Sequence, residues 1–289
     1  MAFITLITTC RGRLAHLKET LPTFASQADA EVVVVDYSCP DGTGDWVEGA
    51  FPGVRVVREP DRPRFELARA RNLGAAAATS PWLCFIDADM RVAPDFSARL
   101  RSVLTPGHYY QAKPRTIETW GTAICARADF ERAGGYDEVL QGWGKEDDDF
   151  YARLVLSGVT YATFPGELVK GMSHDDGARV AHYDVKDRWV NESVNHVYCR
   201  AKLDLMLLRR EPVPLEVRTR LYAQVRTAVL DGRKTGKPLQ ITVPFMTQHT
   251  RMCGPLEAKL VYQLPNPRGE GRPWTGEGTS VIPRAPKGA

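Results

Sequence analysis

Long hydrophobic runs are missing from this sequence. No apolar stretch in its 289 residues approaches the ~18 that a membrane-spanning helix needs, which argues against a helical anchor within the chain. Met1 to Thr9 is apolar but short. It lacks a basic leader and a cleavage site, so it is expected to be a first buried strand rather than a signal peptide. Paired cysteines are missing too. Cys10, Cys39, Cys84, Cys125, Cys199 and Cys253 are scattered with no CxxC spacing. That disfavours a disulfide framework or a zinc site and favours free thiols in a reducing cytoplasm. There is no internal repeat. What remains, 43% hydrophobic and 25% charged residues, is ordinary for a globular protein of one large α/β domain or two small ones.

The net charge of +3 conceals an asymmetry. From Arg200 onward the formal charge is +9, and the remainder carries −6. A solvated basic surface accounts for this most simply; the sharper alternative is an anionic partner, either a membrane surface, a polyanionic acceptor or nucleic acid.

The first half alternates apolar runs with helical spacing. Phe3–Thr8 is an apolar run. Leu14, Leu17, Leu21 and Phe24 fall at helical intervals, with Pro22 as a potential stop. Glu31–Asp36 is a continuous β-branched run, as expected of a parallel strand buried on both faces. Short helical and strand patterns follow at 45–50 and 54–57. Phe65–Thr79 is Ala-rich and helical, and Trp82–Ile86 is a fourth strand. This order implies a right-handed parallel sheet with helices on both faces, whose ligands lie beyond the carboxyl ends of the strands. Arg11, Asp36 and the Asp87/Asp89 pair all follow strand ends. Beyond Pro94, a strand is expected at 123–125 and helices at 128–133 and 146–157. Residues 203–230 have a helical pattern interrupted at Pro212-Val-Pro214.

Four constellations could carry chemistry. Asp87-Ala88-Asp89 closes a buried strand, and a hard cation such as Mg2+ or Mn2+ would justify two acids there; a solvated acidic loop is the plain alternative. Gly142-Trp-Gly-Lys-Glu-Asp-Asp-Asp149 places four acids in a row. They suit the first turn of a helix, where the dipole stabilises them. Together with the flanking glycines and Trp143 they also suit a sugar-stacking loop with a carboxylate general base. His174 lies in a polar, Gly- and acid-flanked loop that fits a ligand better than a core histidine. In Ala68-Arg-Ala-Arg-Asn-Leu-Gly74, Arg69 and Arg71 either face solvent or fork onto a diphosphate.

Taken together the early motifs resemble family 2 glycosyltransferases: Val32-Val-Val-Val-Asp36, Asp41-Gly-Thr43, Ala68–Gly74 and Phe85-Ile-Asp-Ala-Asp89. The later ones are similar to the C-terminal part of animal β-1,4-galactosyltransferases: Trp120-Gly121, Phe130–Gly135 with Tyr136-Asp137, and Gly142–Asp149. The resemblance spans roughly Phe3 to Asp176, and the Gly-Trp-Gly-x-Glu-Asp-Asp-Asp string is its specific part. It implies an α/β GT-A fold with a mostly parallel sheet and a helical C-terminal extension. Residues 1–200 would be the catalytic domain, with a nucleotide-binding half at 1–95 and an acceptor and metal half at 96–200. Residues 201–265 would be a basic helical extension, and 266–289 a poorly ordered tail.

The resemblance also implies roles. Thr9, Arg11, Arg13, Asp36, Arg69, Arg71 and Asp87 would bind the nucleotide. Asp89 and His174 would hold Mn2+ or Mg2+. The related enzymes place a Met three residues before that His; here the position is Gly171 and Met172 is displaced by one, leaving the third ligand open. Trp143, Glu146, Trp120 and Gly121 would contact substrate, and Asp147 would be the catalytic base. The expected activity is inverting transfer of a hexose or N-acetylhexosamine from a UDP-sugar to a hydroxyl of a glycan or other polymer. The expected location is the cytoplasm, free or peripheral to a membrane. The alternatives are a non-catalytic nucleotide-sugar-binding protein and a transferase that modifies nucleic acid.

Overall fold

The computed structural model describes residues 2–172, 187–246 and 257–264. His174 and the expected 266–289 tail lie outside the described residues. The chain divides into two compact units, Met1–Asn191 and Glu192–Ala289.

The first unit is built on a seven-stranded sheet. Its strands are β1 (Ile4–Cys10), β2 (Ala30–Tyr37), β3 (Arg55–Glu59), β4 (Trp82–Phe85), β6 (His108–Lys113), β7 (Ala123–Ala126) and β8 (Thr160–Pro165), in the order β3-β2-β1-β4-β7-β6-β8. β1, β2, β3 and β4 pair in parallel. β7 is antiparallel to both its neighbours, β4 and β6, and β6 pairs with β8 in parallel. One reversed strand therefore sits within an otherwise parallel sheet. A separate antiparallel pair joins β5 (Met90–Val92) to β9 (Val169–Gly171).

Both faces of the sheet are covered. Side chains alternate along a strand, so β2 sends Val32 and Val34 into one core and Val33, Val35 and Tyr37 into the other. β4 divides likewise, with Trp82 and Cys84 on the first face and Leu83 and Phe85 on the second. Helices α1 (Leu14–Ala25), α2 (Thr43–Ala50) and α4 (Phe96–Arg101) supply Leu17, Leu21, Phe24, Val47, Phe96 and Leu100 to the first core. Helices α3 (Leu67–Ala77), α5 (Arg127–Arg132) and α6 (Glu146–Leu156) supply Ala68, Ala70, Ala75, Phe130, Phe150 and Leu154 to the second. This explains the unbroken Val run: a strand with no solvent face needs no polar positions. Pro22 does not end α1; it lies inside that helix. α3 is rich in small residues because it lies close on the sheet. A methyl group added at Gly74 would overlap Ile7 Cγ2 and approach Val35 Cγ2 to 3.1 Å.

The second unit contains most of α7 (Arg188–Arg209), then α8 (Leu215–Thr235) and a hairpin of β10 (Leu239–Met246) with β11 (Glu257–Leu264). Pro214 immediately precedes α8, consistent with the break expected at Pro212–Pro214. The extension is thus helical to Thr235 and closes with a β-hairpin that no helical pattern anticipates. Val194 and Tyr198 of α7, Val225 and Val229 of α8, and Ile241 of β10 are among its buried residues. Tyr198 and Tyr222 meet edge to face at 5.2 Å, and the Tyr222 hydroxyl donates to Asn195 Oδ1 at 3.1 Å.

Candidate active site

Three strands deliver polar residues to one edge of the sheet. β1 runs into Arg11-Gly12-Arg13, β2 ends beside Asp36, and β4 runs into Asp87-Ala88-Asp89. Each of these side chains has a defined occupation. Arg11 donates to the carbonyl oxygens of Tyr37 (3.3 Å), Arg62 (2.8 Å) and Pro63 (3.3 Å), so it pins the segment after β3 against the end of β2. Arg13 pairs with Asp89 at 3.1 Å. Asp36 accepts the backbone N–H of Cys39 at 2.8 Å and that of Gly44 at 2.7 Å, which fixes the turn into α2. A side chain at Gly44 would collide with the Asp36 carboxylate and the Arg58 guanidinium. Thr9 is half-buried near the end of β1.

The two arginines of α3 diverge. Arg69 points to Glu59 (2.9 Å) and Glu138 (3.3 Å). Arg71, two residues on, is only 3% exposed and turns inward. It donates to Asp87 Oδ1 at 3.1 Å and forms a short ion pair with Asp147. Its guanidinium lies 5.0 Å over the Tyr136 ring. One cation therefore joins the acidic motif after β4 to the acidic string of α6. Gly121 belongs to the same cluster, because a Cβ there would lie 2.7 Å from Asp87 Oδ2 and 3.0 Å from Arg71 Nη2.

The four acids of 146–149 form the first turn of α6. That turn is entered through left-handed backbone at Gly142 (φ 74°), Gly144 (φ 96°) and Lys145 (φ 75°). The dipole favours acids here, yet each acid has its own environment. Asp149 is buried on Arg153 at 2.8 Å. Asp148 accepts from Lys145 Nζ at 3.1 Å and from the Trp120 indole N–H at 3.3 Å. Asp147 faces Arg71 and keeps 13% of its side chain open to solvent. Burial raises the Glu146 carboxyl, and the neighbouring Asp147 charge raises it further. Burial also raises Asp147, but the Arg71 charge opposes this. The two adjacent carboxyls are thus unequal, with Glu146 the more readily protonated.

An aromatic rim lies beside this turn. Trp120 is 43% exposed. The Arg115 guanidinium stacks 3.3 Å above its ring, and the Tyr151 hydroxyl donates to its carbonyl at 3.0 Å. Arg188, the first residue of α7, lies 4.1 Å over the Trp143 ring, so that ring is cation-capped. None of Arg115, Arg188, Tyr136 and Tyr151 was assigned a site role from the sequence. Only Tyr136, through its place beside the Phe130–Gly135 motif, carried a signal that could have marked it. The arrangement brings together Arg71, Asp87, Gly121 and Asp147, with Glu146 and Trp120 beside them. Arg69 and Arg11 engage other partners.

Known proteins resemble this chain in sequence and in fold. Residues 5–119 match the family model of glycosyl transferase family 2. Residues 101–175 match the N-terminal domain of galactosyltransferase. The fold is that of the GT-A glycosyltransferases. TarS of S. aureus, solved with UDP-GlcNAc, superposes with a TM-score of 0.58 at 13% identity, covering 81% of this chain and 75% of that one. A mannosyltransferase of Pyrobaculum calidifontis, solved with GDP-Man and Mn2+, gives 0.52 at 17% identity over 81% and 76%. Beta-1,4-galactosyltransferase 2 of Mus musculus is 29% identical over 118 residues, which are 37% of this chain and 32% of that protein. Validoxylamine A glucosyltransferase of Streptomyces hygroscopicus subsp. jinggangensis is 27% identical over 215 residues, 51% of this chain and 50% of its own. The chain therefore spans half or less of the length of these curated relatives. Among the described residues no helix is long and apolar enough to cross a membrane.

Proposed function

We propose that this chain is an inverting glycosyltransferase that moves a hexose or N-acetylhexosamine from a UDP-sugar to an acceptor hydroxyl, with Asp147 as the base. The observation that carries the reading is the Arg71 bridge. It draws Asp87 and Asp147, 60 positions apart in the sequence, to one guanidinium at the carboxyl edge of the sheet.

Asp147 would accept the proton of the acceptor hydroxyl as that oxygen attacks the anomeric carbon. The bond from that carbon to the diphosphate breaks, and the sugar inverts because the base acts on the face opposite the leaving group. Glu146, whose raised carboxyl can stay protonated, would donate to a sugar oxygen. Trp120 and Trp143 would pack on the sugars, with Gly121 leaving room at Asp87. Thr9, Arg11, Arg13, Asp36 and Arg69 would form the nucleotide end. Asp36 and Arg11 serve there chiefly by holding backbone, given the hydrogen bonds they make.

A divalent metal is part of this reading. Asp87 and Asp89 offer hard oxygen donors, and His174, outside the described residues, would add a nitrogen. Among the described residues no group of three potential ligands converges, so a site there would also draw on donor phosphates and water. A bound Mn2+ or Mg2+ would supply charge to stabilise the departing diphosphate. Screening the purified chain against UDP-sugars with Mn2+ or with EDTA tests the reading. Metal-dependent release of UDP from one donor supports it. An absence of release, together with no thermal shift by any UDP-sugar, refutes it.

A further inference from the structure

We propose that Cys39 is a peroxide-reactive thiolate resolved by Cys10, forming a reversible disulfide between the end of β1 and the turn after β2. Two donors converge on the Cys39 sulfur. The Gly12 N–H reaches it at 3.2 Å and the Thr43 hydroxyl at 3.0 Å. Cys10 is itself 3.3 Å from the same Thr43 hydroxyl, so both sulfurs meet at one oxygen. Thr43 opens α2, and Asp36 holds the Cys39 N–H at 2.8 Å, which keeps the sulfur fixed in this nest.

The two sulfurs differ in the way such a pair requires. Cys39 is half-exposed and Cys10 is buried. The Cys10 hydrogen bond, reinforced by Thr43 and the Gly12 N–H, brings the Cys39 thiol down to about 5, against the opposing effect of burial. Cys10 is pushed far up, first by its bond to Cys39 and then by burial. Cys84 and Cys125 are fully buried, with thiols pushed up by burial, which closes them to peroxide in solution. In the first step the Cys39 thiolate attacks one oxygen of hydrogen peroxide. The O–O bond breaks, hydroxide leaves and takes a proton, and a sulfenic acid remains. The Cys10 sulfur then attacks the sulfenic sulfur, the S–O bond breaks, and water departs with the Cys10 proton. Two thiols have then lost two electrons, and one peroxide has become two waters.

The test uses the full chain and does not depend on transferase activity. Non-reducing peptide mapping after mild peroxide is expected to yield a linked Cys10–Cys39 peptide that dithiothreitol separates. Iodoacetamide at pH 6 is expected to label Cys39 before any other cysteine. Cys10→Ser is expected to stop at the sulfenic acid, captured as a dimedone adduct on Cys39. Cys39→Ser, whose hydroxyl keeps the local hydrogen bonds, is expected to retain the wild-type circular dichroism and form no linked peptide. Uniform labelling of the cysteines, or peroxide treatment without a Cys10–Cys39 link, overturns the proposal.

Discussion

Replacing Arg71 gives the most discriminating test of the site. The guanidinium is nearly buried and serves two carboxylates at once. At an effective dielectric of about 20, a unit charge pair about 4 Å apart is worth roughly 4 kcal/mol. At 1.36 kcal/mol per pKa unit, losing that attraction moves a carboxyl by about 3 units. Asp147 stands at about 6 with Arg71 in place. Arg71→Ala would therefore raise it further, with Asp87 now an uncompensated neighbour. A base works only when ionised, so the acid limb of kcat/KM should move up by about 2 to 3 units. The rate at pH 7 should fall by roughly 100-fold and recover substantially by pH 9. Breaking a buried pair also costs about 3–5 kcal/mol of stability, so Arg71→Lys, which keeps a charge but cannot fork, is run beside it. The assay is released nucleotide against pH, with circular dichroism to count folded protein. A rate that falls equally at every pH, with the acid limb unmoved, would refute the argument and make Arg71 a phosphate ligand instead.

Further outcomes follow from the same geometry. Asp147→Asn should abolish transfer while leaving donor-induced thermal stabilisation in place; near-normal turnover would remove Asp147 from the role of base. Glu146 is held at about 8 in the folded chain against an ordinary 4.5. Its raised pKa contributes stability that is complete below 4.5 and lost as pH rises through 8. The Tm of Glu146→Gln relative to wild type should therefore climb between pH 5 and 8.5, and a constant difference would contradict the burial argument. Gly74→Ala should cost about 1–3 kcal/mol in urea unfolding, since its methyl has no room against Ile7. Gly121→Ala should lower kcat far more than Tm, because its methyl meets the Asp87 carboxylate, which is 39% exposed, and the Arg71 guanidinium.

Much of the first unit was legible because its strands are buried on both sides. The Val32–Val35 run and Trp82–Phe85 have no polar alternation to confuse them. β6 and β8 were not legible: His108-Tyr-Tyr-Gln-Ala-Lys113 mixes polar and aromatic residues, and β8 is an edge strand with only Phe164 fully buried. The β10–β11 hairpin escaped for a related reason, since β11 has no fully buried residue. In the site, residue types at strand ends were readable, but pairings were not. Arg71 and Asp147 lie 76 positions apart, and no local spacing links them. The same holds for Arg115 on Trp120 and Arg188 on Trp143, whose stacking depends on the tertiary path alone.

The shared guanidinium has a consequence for how this site can vary. Asp87 arrives from the end of β4 and Asp147 from the helix that bears the acidic string, yet neither is electrostatically independent of the other. Costs of substitution at the two positions should not add, and a double-mutant cycle should show coupling above 0.5 kcal/mol. A change at Asp87 is then felt at Asp147 through Arg71, so the two positions can vary only in step.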